Sequence, residues 1–318
     1  MTRPVAVLLV LLALALPLSL LAGRVWIDPF APQTANAAVI LMELRLPRAV
    51  LALVVGAGLG AAGAAMQGYL RNPLADPGLF GIAPSAALGA VLSFWLGIAG
   101  GWALPVFALI GAAGAMALLA LIAGREAGVA LFTLAGMMIA SLAGALMSLA
   151  ISLSPTPFAM SEIVTWLMGA LADRSWREVW IAAPITLAGI ALLALAGRSL
   201  DALSLGEASA RSLGVDPRRL QVLIIAGIGC VVGASVAVAG IIGFVGLIVP
   251  HLVRPFTDRR PSQLLLPSAL AGALLLLVAD SFCRVVPMGS ELRLGIALSL
   301  LGAPFFLHLL LRMRRGLA

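Results

Sequence analysis

The charged side chains that could do chemistry are few, and they lie at the ends of long apolar runs. Arg45 and Arg48 stand three residues apart around Pro47, and Asp280 precedes Arg284 by four residues. Two guanidinium groups at this spacing can grip a carboxylate of a protein partner. Arginine at the end of a membrane span can equally anchor to lipid phosphate, so the spacing leaves both interpretations open. Asp280 with Arg284 is most simply a local ion pair on a helix.

No arrangement of these residues predicts an enzyme. His251 and His308 are far apart and fit no metal-ligand pattern, and no Walker A motif that could bind ATP is present. An intramembrane enzyme would need paired ionisable groups within its spans, and Asp280 is the one clear acid close to a span interior. We therefore expect no catalytic residues, no metal ligands and no cofactor.

The longest polar segment, residues 198–219, reads RSLDALSLGEASARSLGVDPRR. Ser204 with Glu207 resembles an N-cap with its reciprocal partner, and Glu207 and Arg211 have the spacing of a surface ion pair. Gly214 can end that helix, and Asp216 before a proline can begin another. With the apolar residues Leu205, Ala208 and Leu213, the pattern predicts two short helices that form a docking surface.

The composition indicates an integral membrane protein. The chain has 318 residues, of which 62% are hydrophobic and 10% charged, and its mean hydropathy is +1.14. A soluble domain carries about 25% charged residues. One transmembrane domain over residues 1–318 is predicted, with residues 198–219 as a segment within it. The approximate spans are 5–22, 48–68, 79–97, 104–124, 128–151, 179–197, 220–240, 242–256, 265–283 and 292–311.

Two further segments refine this prediction. Residues 5–22 could be a cleaved signal peptide, but their length favours a span that is retained. Residues 160–172 are apolar but too short to cross the bilayer, so an interfacial or re-entrant helix is expected there.

The charges predict the orientation of the spans. With the N-terminus in the cytoplasm, the whole formal net charge of +7 falls on cytoplasmic segments, as the positive-inside rule requires. Both termini are then cytoplasmic. The basic character needs no nucleic-acid partner.

The chain also repeats itself. Residues 54–63 (VVGAGLGAAG) resemble residues 231–240 (VVGASVAVAG). The first copy lies on a span predicted to run inward and the second on a span predicted to run outward. This pattern is typical of an inverted repeat.

Taken together, the motifs resemble the FecCD-type permeases of ABC importers, which move ferric siderophores, haem or cobalamin. The matching segments follow one another in the family's order: RLPR at 45–48, residues 56–67, NPLADP at 72–77, residues 166–169, LSLGEASARSLG at 203–214, GIIGFVGLIVPH at 240–251, residues 279–284 and LGAPFF at 301–306.

The resemblance implies an all-α fold of about ten transmembrane helices, that of an ABC type II importer permease. It implies a homodimer in the bacterial inner membrane, two cytoplasmic ATP-binding-cassette ATPase subunits and a periplasmic substrate-binding protein. Arg45, Arg48 and Arg284 match the family's docking arginines for the binding protein. The ATPase-coupling residues are expected to be Leu205, Gly206, Glu207, Arg211 and Gly214.

A stripe of small residues on span five could line the translocation path or allow close helix packing. The stripe consists of Gly136, Ala140, Ser141 and Gly144. The sequence departs from the family pattern around Pro84 and at residues 291–294 (ELRL), where Arg293 is added at the outer mouth. A secondary transporter that works without an ATPase is the alternative function, but it leaves residues 203–214 unexplained.

Overall fold

A computed structural model describes residues 3–23, 25–28, 35–123, 129–286 and 290–315, and within these ranges the ordered elements are all helical. The α-helices are α1 (Arg3–Leu21), α2 (Ala35–Val39), α3 (Leu46–Tyr69), α4 (Ile82–Trp95), α5 (Ala103–Ala123), α6 (Val129–Ser152), α7 (Pro157–Leu167), α8 (Trp176–Leu203), α9 (Glu207–Ser212), α10 (Pro217–Ala239), α11 (Val245–Val253), α12 (Pro261–Val285) and α13 (Leu294–Arg315). A π-helical turn at Ile40–Arg45 joins α2 to α3, and short 3-10 turns lie at Pro77–Phe80 and Arg254–Phe256.

The ten predicted spans all correspond to helices. Within the described ranges, eight helical stretches are long and apolar enough to cross a membrane, and two shorter apolar helices cover residues 82–95 and 245–256. The prediction placed the third span at 79–97, which is longer than α4. The helix is shorter because the Pro77–Phe80 turn and Gly81, with a φ of +75°, occupy its predicted first residues.

The segment predicted to be too short to cross forms α7. Its N-cap is Thr156, whose hydroxyl accepts a hydrogen bond from the backbone N–H of Ala159 at 3.1 Å. Trp176 opens the next helix and donates from its indole N–H to the carbonyl oxygen of Met42 at 3.0 Å. This bond ties α8 to the turn in front of α3.

Helix directions follow from side-chain neighbours. Gly58 lies against Thr186, and Gly68 approaches Leu200, so α3 and α8 run the same way. Gly227 packs on Leu193, while Gly189 lies beside Cys230 and Val231, so α10 runs the opposite way. The two copies of the sequence repeat, on α3 and α10, thus run in opposite directions, as an inverted repeat requires.

The centre of the bundle is α3. In this span and in α10, 78% of the residues in the most apolar stretch are buried. Three glycines allow its backbone to touch its neighbours. A methyl group on Gly56 would overlap the carbonyl oxygen of Gly272, one on Gly60 that of Ser268, and one on Gly63 that of Gly246. Small residues permit such approach in a membrane, where lipid offers little hydrophobic drive for association.

For orientation, the end of the bundle that carries Arg48 and α7 is called the outer end below. The end that carries α9 is called the inner end. These names follow the predicted orientation and serve only to locate residues.

Gly60→Val is expected to destabilise the bundle, because the added side chain must displace the α12 backbone at Ser268. Overpacking of a tight contact costs about 1–3 kcal/mol, so the thermal unfolding temperature in detergent should fall clearly. Gly114→Val on α5 is the matched control, since no atom lies within 4 Å of its added Cβ position. Size-exclusion chromatography after heating measures both variants, and equal unfolding temperatures would contradict the packing argument.

Candidate functional site

At the outer end, Arg48 of α3 forms a fork with Asp280 of α12. Its Nε donates to both carboxylate oxygens at 3.1 and 3.0 Å, and its Nη2 donates to Oδ1 at 2.9 Å. Its Nη1 reaches the carboxylate of Glu291 at 2.9 Å. The side chain of Asp280 is 1% exposed, that of Arg48 11% and that of Glu291 30%. The fork therefore holds α3 and α12 together in a dry setting.

Arg284 completes this outer charge cluster, which comprises Arg45, Arg48, Asp280, Arg284 and Glu291. Its Nε lies 3.3 Å from Asp280 Oδ2. Its Nη2 donates to the hydroxyls of Ser19 and Ser281 at 2.7 and 3.1 Å.

Arg45 is bound to backbone rather than to an acid. Its Nη1 donates to the carbonyl oxygens of Leu20 and Leu21 at 2.7 and 2.9 Å. Both groups lie at the C-terminal end of α1, where cations are favourable. Arg45 and Arg284 thus bind α1 to the rest of the bundle.

These contacts bear on two predictions. Asp280 was expected to pair locally with Arg284, but it also binds Arg48, which lies far away in sequence. The docking prediction pictured guanidinium groups free to grip a partner, whereas Arg45, Arg48 and Arg284 are buried or nearly so and have internal partners. The docking role itself stays a prediction. Sequence reasoning missed Glu291 as a member, because no spacing connects it to Arg48.

At the inner end, the boundary between α8 and α9 differs from the prediction. Ser204 was predicted to cap α9, but α8 extends through Leu203, and the Ser204 hydroxyl donates to the Asp201 carbonyl oxygen at 2.6 Å. The residue before α9 is Gly206, with a φ of +103°, which strongly favours glycine. Long helices of apolar and helix-forming residues override a local capping signal.

The inner segment contains one short helix rather than the two predicted. Asp216 does cap a helix, accepting a bond from the Arg218 N–H at 2.9 Å, but that helix is the spanning α10. Gly214 follows α9 with a φ of +81°, as its stop signal predicted. Glu207 lies 3.9 Å from Arg71, in the turn after α3, instead of pairing with Arg211.

The apolar residues of this segment face outward. The side chains of Leu205 and Leu213 are exposed, as is Ala208, whereas Ala210 is buried beneath the helix. These three exposed positions, Leu205, Ala208 and Leu213, are called the inner apolar patch below. These residues lie between the spanning helices α8 and α10, outside both of them. An interaction surface at this patch stays a prediction.

The turn between α3 and α4 is stiff, as its prolines predicted. Asp76 caps the 3-10 turn by accepting from the Gly78 N–H at 2.7 Å, and the Asn72 side chain accepts from the Leu74 N–H at 2.9 Å. Arg71, at the start of this turn, has a φ of 50°. The turn therefore presents Arg71 to α9 from a fixed backbone.

The small-residue stripe on α6 divides into two parts. A side chain on Gly136 would collide with Phe80, and Gly81 fits closely against the backbone of Ala140. These positions serve helix packing within the subunit. Gly144 has open space around its Cβ position, and Ser141 is exposed with its hydroxyl bonded to the Met137 carbonyl oxygen. Lining of a path stays a prediction for Ser141 and Gly144.

The histidines and cysteines carry no site in the part of the chain that the structure describes. The His251 ring packs edge-on against Phe305 with centroids 5.7 Å apart. Cys230 and Cys283 are both free thiols. Among the described residues, no cluster of His, Cys, Asp and Glu side chains could hold a metal ion.

Comparisons with known proteins agree with this architecture along nearly the whole chain. The chain is 38% identical over 312 residues to the vitamin B12 import system permease protein BtuC of Klebsiella pneumoniae, covering 96% of this chain and 93% of that protein. It is 40% identical over 284 residues to the uncharacterized ABC transporter permease protein YvrB of Bacillus subtilis, covering 87% and 80%.

A solved structure of a metal-chelate type ABC transporter in an inward-facing conformation superposes with a TM-score of 0.90. Its sequence is 33% identical, and the alignment covers 97% of this chain and 98% of that one. Residues 5–312 match the FecCD transport family. With its bundle of membrane-spanning helices, this chain belongs to the FecCD transport family.

Proposed function

We propose that the chain is the permease subunit of an ATP-driven importer that moves a metal chelate inward across the bacterial inner membrane. The cargo class is a ferric siderophore, haem or cobalamin, and both termini lie in the cytoplasm. The observation that carries the proposal is α9 with its inner apolar patch, since a permease driven by a separate ATPase needs such a docking surface. The similarity to permeases of vitamin B12 and metal-chelate importers supports it.

The inner apolar patch is the proposed seat of the ATPase subunit. Leu205 and Leu213 are 66% and 63% exposed, and burying a leucine side chain contributes about 1.5–3 kcal/mol. Gly206 and Gly214, both with positive φ, bound α9 on either side and fix its angle to the bundle. In a homodimer the surface occurs once per subunit, which suits two ATPase subunits.

Movement of α9 would reach the spans along two connections. It follows directly from α8, whose last turn is closed by Ser204. It also faces Arg71 through Glu207, which links it to the rigid turn after α3. Because α8 and α3 are packed along one another, an ATPase that displaces α9 would tilt this pair and switch access between the two sides.

At the outer end, the binding protein is proposed to dock over the outer charge cluster. Three arginines face two carboxylates there, so the cluster retains positive charge although each group has internal partners. Such a field attracts an acidic partner and raises its association rate. Glu291 is the most exposed acid of the cluster, so an incoming carboxylate would exchange with it on Arg48 most readily.

The alternative of a secondary transporter drew on the inverted repeat and on Asp280, and the second of these supports is lost. Asp280 is instead fully buried between Arg48 and Arg284. Both of its carboxylate oxygens are held by guanidinium groups, so neither is free to bind a transported ion.

Loss of the inner apolar patch should release the ATPase. In Leu205→Ala with Leu213→Ala, affinity for the ATPase should fall about tenfold or more, because two leucine side chains no longer become buried. ATP-driven uptake should fall with it. Affinity is measured by titrating the purified ATPase against the permease in nanodiscs.

The matched control is Leu187→Ala with Leu195→Ala. These leucines are 62% and 69% exposed on the side of α8 and belong to a spanning helix. They should leave ATPase affinity unchanged. Equal effects of the two double variants, or none from either, would contradict the docking role of α9.

Neutralising Glu291 should speed binding of the periplasmic protein. Glu291→Gln removes one negative charge beside Arg48, so the association rate at low salt should rise about two- to fivefold. The gain should vanish near 1 M salt, where the Debye length is about 3 Å. Surface plasmon resonance measures the rate, with Asp258→Asn at the inner end as the charge-matched control. A slower or unchanged rate in Glu291→Gln would refute docking at this cluster.

A further inference from the structure

A second group of charges at the outer end has no role in the proposed function so far. It lines a cavity of about 280 Å³ between the end of α4, the helix α7 and the residues just before α13. Arg174 and Arg293 are its two cations, and Trp166 and Phe94 form an aromatic wall with ring centroids 6.2 Å apart. The cavity therefore combines two guanidinium groups with a flat apolar surface.

Arg174 has no counter-ion of its own. The carboxylate nearest in sequence on α8, Glu178, is taken by Arg177 at 2.6 Å and by the backbone N–H of Ser175 at 2.8 Å. Among the described residues, the guanidinium of Arg174 makes no hydrogen bond or ion pair within 4 Å, and its Nε is buried. Burial lowers the pKa of Arg174, and Arg177 and Arg293 lower it further, against the opposing effect of Glu178 and Asp173. An anion placed here would give the Arg174 guanidinium a hydrogen-bond partner.

Arg293 is positioned beside it by backbone bonds. The Gly295 N–H donates to the Gly169 carbonyl oxygen at 3.1 Å, and the Ala170 N–H donates to the Ala239 carbonyl oxygen at 2.8 Å. These bonds connect the start of α13 to the loop that carries Arg174 and to the end of α10. The two guanidinium groups are thus held on neighbouring backbone, without long flexible loops between them.

Two acids on the same cavity indicate which hydrogen-bonding groups a ligand would need besides its anionic group. Glu162 and Asp173 are both exposed at the rim, and neither takes part in an ion pair with Arg174 or Arg293. They suit hydroxyl or amide donors on a ligand whose anionic group is bound deeper. Arg174 also borders a second cavity of about 200 Å³ with Trp166, so its guanidinium can be reached from two sides.

We propose that Arg174 and Arg293 form an entry site for an anionic group, carboxylate or phosphate, of the incoming metal chelate, with Trp166 against its ring system. The inference rests on the proposed function, which it deepens by naming anionic chelates as the preferred cargo. The site lies where α7 and α13 reach the outer end. Arg293 stands where the sequence departs from the family pattern, so this preference belongs to this chain.

The test uses the full chain in nanodiscs of phosphatidylcholine and measures equilibrium binding of iron-labelled ferric citrate, a soluble anionic chelate. Saturable binding is expected. Arg174→Gln with Arg293→Gln should weaken it at least about tenfold, since two charge-assisted contacts are lost. Arg174→Lys with Arg293→Lys should retain most of the affinity. Arg198→Gln, which changes an exposed arginine at the inner end, should leave the affinity for ferric citrate unchanged. Neutral ferrichrome is the control probe, and its affinity should be the same for all of these variants.

Three results would overturn the inference. These are absence of saturable ferric citrate binding, equal binding by the double Gln variant with a normal elution profile, and complete loss of binding in phosphatidylglycerol nanodiscs. The last would assign the arginines to a lipid headgroup. ATPase binding by the same preparation separates the two proposals: if the ATPase binds and ferric citrate does not, this inference fails alone. If ferric citrate binds and no ATPase does, the proposed function fails and the anion site stands.

Discussion

Direct backbone contact between α3 and its neighbours is the constraint on which the rest of the structure depends. A bilayer offers little hydrophobic drive between apolar helices, so association relies on packing and on polar contacts. Gly56, Gly60 and Gly63 allow α3 to meet α12 and α11 without intervening side chains. That close approach brings Arg48 within reach of Asp280, because the two lie on the outer turns of the same pair of helices. The charge cluster is therefore a consequence of the glycine contact as well as a reinforcement of it.

Burial determines what the outer charge cluster can do. In a dry setting, removing one partner of an ion pair leaves an uncompensated charge, which costs about 3–5 kcal/mol. Arg48 and Arg284 share the carboxylate of Asp280, so none of the three can leave without affecting the other two. A binding protein that docked here would first be attracted by the net positive charge of the cluster. One of its carboxylates could then replace Glu291 on Arg48, because Glu291 is the most exposed acid of the cluster. The same groups can thus stabilise the bundle and respond to a partner.

The sequence predicted the class of fold well because hydrophobic runs are set by the thickness of the bilayer. Among the described residues, run lengths account for eight helices that could span the membrane, for two shorter apolar helices and for α7. Asp216 and Gly214 act as the local signals predicted. Ser204 was wrong as a cap because α8 extends up to it and Gly206 precedes α9 instead. Capping rules do not predict at which residue a long preceding helix ends. The site was harder to predict. Arg48, Asp280 and Glu291 are far apart in sequence and meet only in the folded chain. Gly136 packs against Phe80 whereas Gly144 faces open space, and no sequence pattern on α6 distinguishes the two positions.

The two ends of the bundle are connected through one pair of parallel helices. α3 carries Arg48 at its outer end, and the stiff turn after it presents Arg71 to Glu207 at the inner end. α8 runs alongside, held to the front of α3 by the Trp176 bond to Met42 and followed directly by α9. The backbone hydrogen bonds of both helices are internal except at Pro184 of α8, whose nitrogen has no proton to donate. Under the proposed function, a displacement of α9 would reach the outer cluster through α3 and α8, and a partner that rearranges the cluster would bias α9 through the same pair of helices.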